Sequence, residues 1–274
     1  MRLRIRVQSD IAVVGCELTY RLYGKGISTS GCSGVQISKR HVLTAAHCVV
    51  KLTKSCEEKS RSKDRYAVDQ NNSIQILIGS GCTNPESCPH NLTTYSVTSI
   101  TVHQEYNPCE KSNDVALFDI SPDISPLHGS PICMLKSNDM LHDRLTAVGF
   151  GIDPETRHEE TGPLSFLRSV NLTRMKRKAY KPKRIVTIEK RKGICSGDSG
   201  GPLTQVNDGK YIVEGTAMGT KVACEEKAAH LTNIQMFLDR RMKFPKNARA
   251  MDSINTTILY PNVSSDWNSF VIRL

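Results

Sequence analysis

Short runs of apolar and β-branched residues, separated by Gly, Pro, Asn and charged stretches, set the pattern of this chain. Residues 11–24 alternate loosely and carry Val, Leu and Tyr, which predicts strands with a turn at Gly24-Lys25-Gly26. Residues 34–37 and 42–44 are short β-type runs, and 51–72 is polar and charged, as a surface insertion would be. Ser73–Gly79 and Ser96–His103 are clearer strand candidates, and the Gly/Cys/Pro/Asn stretch 80–91 between them reads as a loop. Asp114–Ile120 predicts another strand before a Pro-rich crossing at 121–131, and Leu145–Phe150, Phe166–Leu172 and Tyr211–Gly215 repeat the pattern. Short strands at regular spacing with turn chemistry between them predict an all-β sandwich or barrel. One segment, Ile234–Lys243, reads as a helix, with Met236, Phe237 and Leu238 among charges. The polar stretch 245–274 reads as a C-terminal extension to a domain spanning 1–244.

Composition narrows this picture. A length of 274 residues suits one large or two small domains, with ample material for a core. No run approaches the ~18 apolar residues of a membrane span, so no membrane partner is expected. Ten cysteines read as a disulfide framework or as metal ligands. No Cys-x-x-Cys pair or zinc-type spacing occurs, which favours disulfides and no metal. Sequons at Asn71, Asn91, Asn171, Asn255 and Asn262 agree with a secreted glycoprotein. Residues 1–14 are basic but lack an apolar region and a cleavage site, so the expectation is a secreted chain whose true N-terminus lies upstream.

Charge is uneven. Residues 174–192 hold ten Lys/Arg against Glu189 alone, within a net charge of +10 for the whole chain. This segment reads as a loop. It is either simply solvated or a surface for an acidic protein or sulfated polysaccharide. Aromatic interleaving is limited to Tyr180 and no nucleic-acid module is present, so nucleic acid is not an expected partner.

The chemistry gathers at Gly197-Asp198-Ser199-Gly200-Gly201-Pro202-Leu203. A Ser between glycines suits a nucleophile on a sharp loop, because glycine lets the backbone turn tightly and aim N–H groups at a reacting carbonyl. A hydroxyl at its free pKa is a poor nucleophile and needs a base and an orienter. His47, in Leu43-Thr44-Ala45-Ala46-His47-Cys48, could be either a core histidine or that base. Asp114, in Ser112-Asn113-Asp114-Val115-Ala116-Leu117, could be either a turn residue or the orienter. The remaining histidines read as structural or exposed.

Taken together, the order His47…Asp114…Ser199, with the Ser in Gly-Asp-Ser-Gly-Gly-Pro, resembles the trypsin/chymotrypsin-like (S1) serine proteases over residues 11–243. The insertions between His47 and Asp114 resemble those of a nematode trypsin-like branch. The resemblance implies two six-stranded antiparallel β-barrels, a C-terminal helix, and no cofactor. It implies a catalytic triad of His47, Asp114 and Ser199, with the N–H groups of Gly197 and Ser199 as oxyanion hole. It also implies disulfides Cys32–Cys48 and Cys195–Cys224. Cys133 resembles a position that tethers a propeptide, with Cys16 or an upstream residue as partner. Cys56, Cys82, Cys88 and Cys109 would brace the extra loops, in pairings the sequence leaves open.

Members of this family are made as zymogens, and the ammonium of a newly cut N-terminus pairs with the Asp before the nucleophile, here Asp198. No activation motif appears, and counting back places that site at or before residue 1. The substrate strand carries Ala217-Met218-Gly219 where the family has Ser-Trp-Gly. By the same register Gly193 forms the floor of the specificity pocket, Ile194 follows it, and Gly219 and Ala229 form its far wall. No carboxylate stands on that floor, which implies an apolar P1 side chain. The expected function is therefore a monomeric, extracellular serine endopeptidase acting on protein or peptide substrates. The alternative is a protease-fold binding or regulatory protein that no longer cleaves, kept open by the unseen activation motif and by Ala217.

Overall fold

Most of the apolar runs become strands with partners on both sides. The computed structural model describes residues 13–21, 27–59, 61–69, 74–79, 94–134, 140–151, 167–175, 184–190, 192–207, 210–220 and 229–236. In chain order the first strands are β1 (Val13–Arg21), β2 (Ile27–Gln36), β3 (His41–Thr44), β4 (Val50–Leu52), β5 (Tyr66–Val68), β6 (Ile74–Leu77), β7 (Thr94–Val102) and β8 (Ala116–Ser121). They are followed by β9 (Cys133–Met134), β10 (Arg144–Gly149), β11 (Arg168–Arg174), β12 (Arg184–Lys190), β13 (Pro202–Asn207), β14 (Lys210–Thr220) and β15 (Ala229–Met236).

Strands β1-β2-β3-β8-β7-β6 close into a barrel. A second sheet runs β13-β10-β11-β12-β15-β14-β9, and β13 also pairs with β14, so six of its strands form a ring with β9 alongside. The pairings are antiparallel except β14 with β9. β4 and β5 form a small separate hairpin within the polar insertion.

Side-chain alternation explains how the two bodies meet. On β3, Val42 turns into the first barrel while Leu43 points to the second. Ala116, Phe118 and Ile120 of β8 likewise fill the first barrel, and Val115 and Leu117 face outward. These outward residues join Val35, Ile37, Ile132, Val148, Phe150 and Val213 in one buried cluster between the bodies. The run 114–120 is apolar almost throughout because both of its faces are buried. A third cluster, Leu145, Ala147, Leu172, Ile185, Ile194 and Leu203, fills the second ring.

Two expectations change. The basic segment 174–192 is not one loop. Arg174 ends β11, and 184–190 form β12, paired with β11 and with β15. Ile185, Val186 and Thr187 are buried there, so strand pairing and burial override the charge of the flanking residues. Residues 176–183 lie outside the described residues. The helix expected over 234–243 is not present in its first three residues, which complete β15 between β12 and β14. Residues 237–243 lie outside the described residues.

Phe150 is fully buried between the two bodies, whereas Leu127 is 93% exposed. F150A is expected to cost about 3–5 kcal/mol and L127A less than about 0.5 kcal/mol, measured by urea unfolding. Equal costs would contradict the two-body packing.

Candidate active site

Asp114 is fully buried at the entrance to β8. A tight hairpin delivers it: Asn107 and Ser112 bridge, Asn113 sits at φ 52 and its amide donates to Glu105 O. Asn is among the few non-glycine residues that adopt this left-handed conformation readily. Both Asp114 oxygens accept from one residue. His47 N–H donates to Oδ1 at 2.8 Å, and Nδ1 lies 2.7 Å from Oδ2. With Asp114 as the acceptor, Nδ1 carries the hydrogen and Nε2 of the neutral ring is left as an acceptor. The His47 side chain is 32% exposed, so that acceptor is reachable.

His47 lies in a single 3₁₀ turn, Ala46–Cys48, directly after β3. The Cys32–Cys48 disulfide ties this turn to β2. Tyr106, buried beside the pair, has its phenol pKa raised, mostly by burial and further by Asp114. It stacks edge-on against Tyr66 of the polar insertion, with centroids 5.2 Å apart. A second disulfide, Cys56–Cys109, fastens that insertion to the Asp114 hairpin, and the Arg65 guanidinium holds the Ser55 and Glu58 carbonyls inside it.

The Ser199 loop is held across from this pair by Ser33, a residue that gave no signal in sequence. Ser33 N–H donates to Ser199 O at 2.8 Å, its hydroxyl donates to Gly197 O at 2.8 Å, and the same hydroxyl accepts from Phe150 N–H at 3.0 Å. Thr44 Oγ1 completes the group by donating to Ser33 O at 2.8 Å. The contact is so close that Gly200, at φ +83, has no room for a Cβ, which would fall 2.1 Å from Thr44 Oγ1 and 2.3 Å from Ser33 O. Gly197, at φ 98, turns the backbone ahead of Ser199. With Gly197 O turned to Ser33, the N–H groups of Gly197 and Ser199 find no acceptor among the described residues. One sulfur touches both loops: Cys48 Sγ is 3.9 Å from His47 Nε2 and 3.7 Å from Ser199 O. Ser199 Oγ makes no hydrogen bond to His47 among the described residues, a common state of such pairs before substrate arrives.

Asp198 points the other way, beneath Gly149 and Gly151. Its Oδ1 accepts from Gly151 N–H at 2.8 Å and its Oδ2 from Cys195 N–H at 2.7 Å. A Cβ on Gly149 or Gly151 would fall 2.4 Å or 2.3 Å from the carboxylate, so both positions need glycine. Burial pushes the Asp198 pKa up to about 6, against the opposing pull of the two N–H donors and the Arg168 charge.

The other expected residues fall as follows. Cys195 is disulfide-bonded, and Cys224 lies outside the described residues. Cys133 is a free thiol on β9, so it does not pair with Cys16, which stands opposite Cys32 in the first barrel. Cys82 and Cys88 lie outside the described residues. Cys32, His47 and Cys48 come close enough to suggest a metal cluster, but the two cysteines are joined to each other and offer no thiolate. Gly193 is half-buried, whereas the Ile194 side chain is buried in the core of the second ring. Ala217, Met218 and Gly219 lie on β14 where its register with β15 shifts, between Ala217 and Thr220. Ala229 opens β15.

Residues 18–240 match the family model described as Trypsin. The chain is 26% identical over 265 residues to phenoloxidase-activating factor 3 of Holotrichia diomphalia, covering 87% of this chain and 74% of that protein. It is 31% identical over 183 residues to chymotrypsin-2 of Vespa crabro, covering 63% and 71%. It is 25% identical over 238 residues to CLIP domain-containing serine protease B15 of Anopheles gambiae, covering 79% of this chain and 62% of that one.

The raised Asp198 pKa has a defined sign. A carboxyl bound more tightly to its proton when folded favours the folded state fully below its unfolded pKa of 3.8, and that contribution is lost as pH rises through about 6. Because burial outweighs the pull of the Arg168 charge, Asp198 opposes folding at neutral pH. Between pH 3.5 and pH 7.5 the stability of D198N is expected to gain roughly 3 kcal/mol relative to wild type, read by urea unfolding at both pH values. A difference that does not change with pH would contradict the burial of this carboxylate.

Proposed function

Because the chain belongs to the trypsin family, whose members are serine-type endopeptidases, we propose that it cleaves peptide bonds through an acyl-enzyme on Ser199, with His47 as base and Asp114 as orienter. The observation that carries this reading is the fully buried Asp114 accepting both the N–H and the Nδ1–H of His47, with the Ser199 loop pinned alongside. Ser199 Oγ attacks the scissile carbonyl as its proton passes to His47 Nε2. The resulting oxyanion is met by the N–H groups of Gly197 and Ser199. His47 then gives the proton to the leaving amine as the C–N bond breaks, and Asp114 stabilises the imidazolium between these steps. A water, deprotonated by His47, attacks the ester and the proton returns to Ser199, releasing the acid.

The finer features follow the same reading. The protease occupies two six-stranded barrels within residues 1–244, with 245–274 as an extension. It acts as an extracellular monomer on proteins, in keeping with its disulfides. Asp198 awaits the ammonium of a new N-terminus after zymogen cleavage. The pocket floor at Gly193 carries no side-chain charge, and Ala217, Met218, Gly219 and Ala229 line it with small or apolar groups, so an apolar P1 residue is selected. Ile194 contributes through its backbone, since its side chain belongs to the core. The basic stretch 174–192 receives an acidic protein or sulfated polysaccharide. Arg174 is not among the contact cations, because Asp143 holds it at 3.0 Å.

A fluorophosphonate probe is expected to label Ser199 in the processed protein and to leave S199A unlabelled; no adduct on wild type would sink the reading. D114N should lower kcat by about 10⁴ through the wrong His47 tautomer. A peptide-library profile should show apolar P1 residues, and a dominant Lys or Arg preference would refute the pocket assignment. Retention on heparin should fall when Lys176, Lys178, Lys181 and Lys183 are neutralised together, and unchanged retention would remove the basic surface.

A further inference from the structure

We propose that Arg168 is a positioning residue for the oxyanion loop: from the start of β11 it clamps the backbone of Gly151 over the Asp198 carboxylate and supplies the positive charge that carboxylate faces. The inference rests on the endopeptidase reading above. Arg168 stands opposite Gly149 in the β10–β11 register, and its Nη1 donates to Gly151 O at 3.0 Å. Gly151 N–H in turn donates to Asp198 Oδ1 at 2.8 Å. Both backbone groups of Gly151 are thereby fixed, one by the guanidinium and one by the carboxylate. Gly149 and Gly151 have no side chains with which to hold themselves, and none could be added, because each ideal Cβ would strike Asp198. Phe150 anchors this segment from within, by its side chain in the cluster between the two bodies and by its N–H on Ser33 Oγ. Arg168 anchors it from outside.

The carboxylate transmits this to the catalytic loop. Asp198 N–H donates to Cys195 O at 3.1 Å, and Asp198 O accepts from Gly201 N–H at 2.9 Å. Residues 195–201 therefore turn as a unit about Asp198. If the carboxylate left its place under Gly151, the peptides on either side of it would turn too: the one after it presents the Ser199 N–H, and the one before it carries the Gly197 carbonyl that Ser33 holds and so sets the adjoining Gly197 N–H. The Arg168 charge also lowers the Asp198 pKa, opposing the larger effect of burial. Arg168 makes other interactions as well, so its removal is compared with two different replacements.

The test uses the full-length, processed protein and the variants R168K and R168Q, assayed on a peptide substrate that the wild type cleaves. Lysine keeps the charge, whereas glutamine keeps an N–H donor and loses the charge. R168K is expected to stay within about threefold of wild type in kcat. R168Q should lose at least about tenfold in kcat with KM little changed, because an oxyanion donor acts in the transition state and its full loss costs ~10²–10³. All three proteins should be fully folded at the assay temperature, with R168Q melting only slightly below the other two because its buried carboxylate loses a favourable charge. R168Q matching an active wild type would overturn this inference alone. So would equal losses in R168K and R168Q, or a loss in R168Q that only reflects unfolding at the assay temperature. An inert wild type would overturn the endopeptidase reading and this inference with it.

Discussion

A buried carboxylate needs hydrogen bonds at both oxygens, and Asp114 obtains both from His47. Leaving a buried acceptor without its donor costs about 1–3 kcal/mol, and more when the acceptor is charged. That constraint governs much of the first barrel. β8 must begin at Asp114, β3 must end just before His47, and the two must run side by side, as their register from His41↔Asp119 to Thr44↔Ala116 requires. The left-handed Asn113, the buried Tyr106 and the Cys56–Cys109 bridge all hold the hairpin that delivers the carboxylate.

The second body carries Ser199, the proposed nucleophile, so the site depends on how the two bodies join. Apolar burial brings them together without fixing a register, since it is not directional. Direction comes from Ser33, which bonds Ser199, Gly197 and Phe150 with its N–H and one hydroxyl. The glycines at 200 and 201 are needed because the chains approach too closely for a Cβ there. Asp198 then works away from the reacting side, as the pivot on which the loop is set.

Much of this was legible in sequence, and the rest was hidden for identifiable reasons. The His47, Asp114 and Ser199 segments stand out because the chemistry demands particular residue types in a particular order. β8 stands out because a strand buried along most of both faces is apolar almost throughout. β12 was obscured because Arg184, Lys190 and their neighbours outweigh Ile185, Val186 and Ile188 by eye, although those apolar residues are what the fold reads. Met236, Phe237 and Leu238 form an apolar triplet with no decisive period, and Met236 proved to end a strand. Ser33 and Arg168 carry no motif, since their roles exist only once residues over a hundred positions apart, or on the neighbouring strands β10 and β11, have met. Cysteine pairing was undetermined for the opposite reason: six residues allow 15 pairings, and only the fold selects Cys56–Cys109.

The central claim, that these parts assemble to form an ester on Ser199, is tested most directly in the pre-steady state. Mixing the processed protein with an activated nitrophenyl ester should release a rapid burst of nitrophenol equal to the active sites present, and mass spectrometry of the quenched protein should place one acyl group on the Ser199 peptide. Slow release with no burst, or an acyl group found on another residue, would contradict it.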